Sequence, residues 1–96
     1  MKTITKKFDL PCMDGNQNSF HGKAIVCETW NGVKVLKSYE TIVAYIDYAG
    51  LHKTWNGYSR TTMLHVNNFL LFYGLKKINK KEWVNMDTEL KPFVIF

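Results

Sequence analysis

The first 55 positions carry short apolar runs, several of them rich in β-branched and aromatic residues, separated by turn formers, and the pattern switches to a helical period near position 59. The first half of the chain therefore predicts strands and the second half helix. Residues 3–10 alternate loosely, with Ile4, Phe8 and Leu10 on one face, and predict an opening strand. The run from Pro11 to Ser19 collects turn and loop formers and predicts an exposed loop. Residues 23–30 and 33–39 flank Asn31-Gly32, a pair that tolerates positive φ and so predicts a two-residue hairpin of type I′. Residues 41–48 are rich in β-branched and aromatic side chains and predict a central strand. Its alternation puts Ile42, Ala44, Ile46 and Tyr48 on one face and Val43 and Tyr45 on the other. Residues 47–50 reverse the chain, and residues 51–55 return as a short strand.

Ser59 is a good N-cap, because its hydroxyl can accept an N–H from the first helical turn, and Gly74 suits the left-handed position after a helix. Together they bracket a main helix over about residues 59–73. Met63, Val66, Phe69, Leu70 and Tyr73 share one stripe of it, with His65 and Phe72 at the border. Arg60, Leu64, Asn67, Asn68 and Leu71 lie opposite, so two leucines fall where water is expected. Asn79 and Glu82 have the spacing of a capping box, which predicts a short helix from Lys80 to about Met86. Pro92 ends regular structure, and Phe93-Val94-Ile95-Phe96 is apolar enough to dock on the body or complete an edge. The expected fold is α+β in one domain: an antiparallel meander of four to five strands packed by one main helix, plus a short C-terminal helix. Thr29-Trp30-Asn31-Gly32 recurs as Thr54-Trp55-Asn56-Gly57, but the residues that follow diverge, so a turn tetrapeptide is reused and no repeat architecture is implied.

Composition changes this picture little. Hydrophobic residues make up 46% and charged residues 22%, as in ordinary folded domains, and the fourteen aromatics can fill a small core with few side chains. The net charge is +5, yet twelve of the thirteen basic residues are lysine. Specific readout of DNA favours the planar arginine fork, whereas a lysine-rich surface attracts any polyanion diffusely and with strong salt dependence. No apolar run approaches the ~20 residues of a membrane span, and the N-terminus lacks the core of a signal peptide. A cytoplasmic location with reduced Cys12 and Cys27 is therefore expected.

Candidate chemistry is sparse. Ser59 and His65 lie six residues apart on one helix, which turns them away from each other. Neither a nucleophile elbow nor a phosphate-binding glycine loop is present. The chain is therefore not expected to be an enzyme. Cys12, His21 and Cys27 suit zinc by donor type, but their spacing is poor and no C-x-x-C occurs; no cofactor is expected, with zinc as the exception to test. His65 reads as a half-buried histidine bonded to a nearby carbonyl or hydroxyl, Thr61 being within reach. Lys76, Lys77, Lys80 and Lys81, near Trp83, form a basic cluster suited to nucleic acid, for which exposed sheet aromatics such as Tyr45 or Tyr39 would serve as stacking partners.

The densest polar segment is Trp55-Asn56-Gly57-Tyr58-Ser59-Arg60-Thr61-Thr62-Met63-Leu64-His65-Val66-Asn67-Asn68-Phe69. Asn56-Gly57 reads as its turn and Ser59 as its cap. Trp55, Tyr58, Arg60, Thr61, Leu64, Asn68 and Leu71 are left as a candidate partner-binding surface. Together with Phe20-His21-Gly22-Lys23-Ala24 and residues 36–44, this segment resembles a family of small uncharacterised proteins from phages and mobile elements of Firmicutes. The pattern W-x-G-Y-S-x-T-T-x-x-H-x-x-x-F is the most specific element of the resemblance, which spans roughly residues 20–83. Leu64 departs from the basic residue common at its position, which weakens a phosphate-contact role there. The resemblance implies an accessory protein in a bacterial cytoplasm that binds a host protein, as inhibitors of bacterial defence of the anti-CRISPR type do, with a CRISPR effector as one such partner. A small nucleic-acid-binding accessory protein is the alternative.

Overall fold

The computed structural model describes residues 4–13, 20 and 22–89. Five strands, β1 (Ile4–Asp9), β2 (Ala24–Thr29), β3 (Lys34–Ser38), β4 (Thr41–Asp47) and β5 (Gly50–Lys53), are followed by α1 (Arg60–Phe72) and α2 (Lys80–Asn85). The strands pair in chain order, each antiparallel to the next, so the sheet is the expected meander with β1 added at one edge. Phe93-Val94-Ile95-Phe96 lies outside the described residues.

The first hairpin differs in detail from its prediction. Only Gly32 of the Asn31-Gly32 pair takes a positive φ, of 85°. Trp30, Asn31 and Gly32 form a three-residue loop, closed by hydrogen bonds from the Gly32 and Thr29 amides to the Thr29 and Val33 carbonyls. The Thr29 hydroxyl bonds Asn31 and Val33, so a side chain stabilises the longer loop over a type I′ turn. In β4 the pairing slips between Leu36↔Ala44 and Lys37↔Ile42, leaving Val43 as an extra residue. The bulge breaks the expected alternation. Val43 joins Ala44 and Ile46 in the main core, while Ile42 packs on the opposite face with Cys27, Val35 and Tyr45.

The main core lies between the sheet and α1, with Val26, Leu36, Ala44, Met63, Val66, Phe69 and Leu70 in contact. Ser59 caps α1 as expected, accepting the Thr62 N–H at 3.0 Å. At the other end Gly74, with φ of +77°, ends the helix in a Schellman motif, in which the Leu75 and Gly74 amides donate to the Leu70 and Leu71 carbonyls. The α2 capping box is also present, Asn79 and Glu82 bonding each other's backbone N–H.

Two adjacent asparagines of α1 hold the chain on either side of the helix. Asn68 is fully buried: its side-chain oxygen accepts the Met13 N–H at 2.6 Å, and its amide donates to the Leu64 carbonyl. Asn67 accepts the Ile78 N–H at 2.8 Å and so fixes the approach to α2. Asn68 therefore leaves the expected binding surface, because the segment after β1 covers its side of the helix.

Candidate functional site

The polar segment begins where β5 ends. Its Asn56-Gly57 pair does not make the expected tight turn: Gly57 has no positive φ, and residues 54–59 cross from sheet to helix without regular structure. Gly57 is needed for space. A Cβ there would lie 2.2 Å from the Trp55 ring, which folds back over the glycine and packs on the main core. The same glycine offers its carbonyl to the indole N–H of Trp83 at 2.9 Å. The two copies of the tetrapeptide thus use glycine differently, the first for a left-handed turn and the second to admit an aromatic ring.

Of the sequence-derived surface, Tyr58, Arg60, Thr61 and Leu64 stay accessible, with Leu64 44% and Tyr58 40% exposed. Arg60, Thr61, Met63, Leu64 and Asn67 line a shallow depression of about 450 Å³. Leu71 is half-buried one turn further along, and Trp55 points inward. Lys76, Lys77, Lys80 and Lys81 are exposed, and the Lys80 ammonium sits 4.7 Å from the centre of the Tyr58 ring. The two candidate sets, apolar and basic, therefore meet at Tyr58. Arg60 lines the depression, and no acidic residue in the first turn of α1 offsets its charge or the positive end of the helix.

Trp83 and Lys53 carry structural roles that their sequence positions do not announce. Trp83 is fully buried, and the Lys53 ammonium, 5.1 Å from the centre of its ring, donates to the Trp83 and Met86 carbonyls at 2.9 and 3.4 Å. Lys53 is only 2% exposed and is held by carbonyls at the C-terminal end of α2, where the helix dipole favours a cation. Its backbone carbonyl accepts the Glu89 N–H at 2.8 Å, and Lys53 bridges Thr88 in parallel.

On the opposite face of the sheet, His52 lies flat against Tyr45, with ring centres 4.5 Å apart and planes 9° apart. Its Nδ1 is 2.7 Å from a Glu89 carboxylate oxygen and its Nε2 is 2.8 Å from Asp47. Tyr45 donates to the other Glu89 oxygen at 3.2 Å. Partial burial alone would lower the His52 pKa, but the bonds to Glu89 and Asp47 outweigh it and raise the pKa above 6.5. Burial acts upward on Asp47, yet His52 and the Ala49 and Gly50 amides bring it below its ordinary value. Tyr45, expected as an exposed stacking aromatic, is only 6% exposed because His52 covers it.

His65 is tuned the other way. It is 1% exposed, its Nδ1 lies 2.8 Å from the Ser38 hydroxyl, and Phe20 meets its ring edge-on. The expected hydroxyl partner is present, but it comes from β3 and not from Thr61. Burial, then the Lys23 charge, lowers the His65 pKa. Beside it Tyr39 has a φ of 54°, a left-handed conformation unusual for a bulky side chain.

Of the proposed zinc donors, Cys12 and Cys27 pack in different clusters. Cys12 packs against the main core and Cys27 belongs to the cluster on the other face, while His21 lies outside the described residues. Burial, opposed by Lys7 and Lys37, raises the Cys27 pKa and favours the thiol over the thiolate that binds metal. Among the described residues no group of His, Cys, Asp and Glu is arranged to hold a metal ion. No described helix is long and apolar enough to cross a membrane.

Residues 8–85 match DUF8033, a family of unknown function. The chain belongs to that family. The DUF8033 match includes the whole polar segment, His52, Lys53 and Trp83, and stops short of Glu89. No curated protein and no solved structure matches the chain.

Proposed function

We propose that this DUF8033 protein is a non-enzymatic accessory protein that binds a host protein through the face formed by Tyr58, Arg60, Thr61 and Leu64, with Leu71 at its margin. The observation that carries the reading is the exposure of Leu64 at a depression that Arg60 also lines, with the exposed Tyr58 just before the helix. An exposed leucine and an amphipathic tyrosine beside an arginine have the composition of an interface anchor. Hydrolysis by Ser38 and His65 is disfavoured by their burial, at 4% and 1% exposure. The resemblance to phage and mobile-element proteins suggests inhibition of a bacterial defence system of the anti-CRISPR type, in a bacterial cytoplasm. The test measures inhibition of purified CRISPR effector nucleases by wild type and by Leu64→Asp. Inhibition that Leu64→Asp abolishes at an unchanged melting temperature supports the reading, and inhibition untouched by the substitution removes this face from it.

Nucleic-acid binding is a second reading, favoured by Lys80 over Tyr58 and by the exposed Lys76, Lys77 and Lys81. Salt separates the two. Affinity for an oligonucleotide should fall steeply between low and physiological salt, whereas a leucine-anchored protein interface should change little.

A further inference from the structure

We propose that His52 is a pH-responsive clasp that fixes residues 86–89 along the β5 edge.

Consecutive residues of β5 grip this segment from the two faces of the sheet. On the helix side, Lys53 holds the Trp83 and Met86 carbonyls through its ammonium, and its backbone carbonyl accepts the Glu89 N–H. On the other side, His52 holds the Glu89 carboxylate. Lysine offers donors only, so its grip does not depend on a choice of tautomer. The imidazole is different. Both its nitrogens face carboxylate oxygens, 2.7 Å away at Glu89 and 2.8 Å away at Asp47, and only the doubly protonated ring can donate to both. A neutral ring leaves one carboxylate facing a lone pair, and it removes the cation that separates Glu89 from Asp47.

The remaining groups around the ring sharpen the choice between its two carboxylates. Tyr45, stacked beneath the imidazole, donates to Glu89 and does not titrate in the range of a histidine, because burial, then Glu89 and Asp47, raise its pKa. Asp47 is also held by the Ala49 amide, so it belongs to the β4–β5 turn and cannot follow Glu89. When the proton leaves, the turn keeps Asp47 in place, and Glu89, left with the Lys53 carbonyl and the Tyr45 hydroxyl, is the side whose hold weakens. Its departure uncovers backbone of β5 at Lys53, an edge of the kind that accepts an added strand.

The test follows the Glu89 amide proton by hydrogen exchange between pH 6 and 8.5, corrected for intrinsic exchange. Protection in the wild type should fall roughly threefold to tenfold across that range, the scale of a partly exposed charge-assisted pair. In His52→Gln the fall should be absent, while core amides such as Leu36 stay protected in both proteins. Wild-type protection that is constant with pH, or a fall that His52→Gln retains, would overturn the clasp. An NMR titration of the His52 ring gives a second readout. Its midpoint should drop in Glu89→Gln, and an unmoved midpoint would show that the carboxylate does not hold the imidazolium.

Discussion

Two histidines on opposite faces of one sheet are tuned in opposite directions. His65 sits between α1 and β3, among Phe20 and Tyr39, with a serine hydroxyl as partner and Lys23 as the nearby charge. His52 lies between two carboxylates on a tyrosine ring. Desolvation acts downward on both, and only His52 has anions to overcome it. Burial alone does not decide the charge of a histidine, since the sign of its neighbours can prevail.

The largest effect that tests the comparison is His65→Ala, which leaves a cavity and strips Ser38 of its buried partner. It should cost about 2–4 kcal/mol in urea unfolding. Ser38→Ala keeps the ring but unpairs its nitrogen, and about 1–3 kcal/mol should be lost in the same measurement.

The pH dependence of stability should separate the two sites. His65 has a folded pKa below its unfolded value, so it burdens the fold in acid: stability should decline as pH falls from about 6.5 toward the folded pKa. His52 has the reverse order, so its contribution is complete below about pH 6.5 and is lost as pH rises through its raised folded value. His52→Gln should therefore cost about 0.5–1 kcal/mol at pH 6 and less at alkaline pH, as read by unfolding curves across that range. A loss that is equal at both ends would break the contrast. Smallest of all, Leu64→Asp should shift stability by no more than about 0.5 kcal/mol in thermal unfolding, because that side chain contributes to neither site.

What the sequence made legible was local. Ser59, Gly74 and the Asn79–Glu82 box act on backbone groups within a few residues, so their spacing is enough to read them. The meander was legible for the same reason, because each turn joins strands that pair with each other. The Lys53–Trp83 and His52–Glu89 contacts span 30 and 37 residues, and no periodicity encodes them. Asn68 misled in a related way. Helical geometry places it opposite the core stripe, and only the position of Met13, 55 residues earlier, buries it. Gly57 shows a third limit, because Asn-Gly predicts a tight turn, yet the glycine here gives room for a ring and not a dihedral angle.

The meander also sets an order of assembly. Each strand finds its partner in the strand made just before it, so the sheet can zip up hairpin by hairpin from the N-terminal end as the chain leaves the ribosome, with little loop entropy to overcome at each step. Trp83 and Met86 arrive later, after β5 and its ammonium have waited through some thirty residues for their carbonyls. Chains interrupted within α2 would then present a nearly finished sheet whose lysine has no acceptor, a species for quality control to recognise.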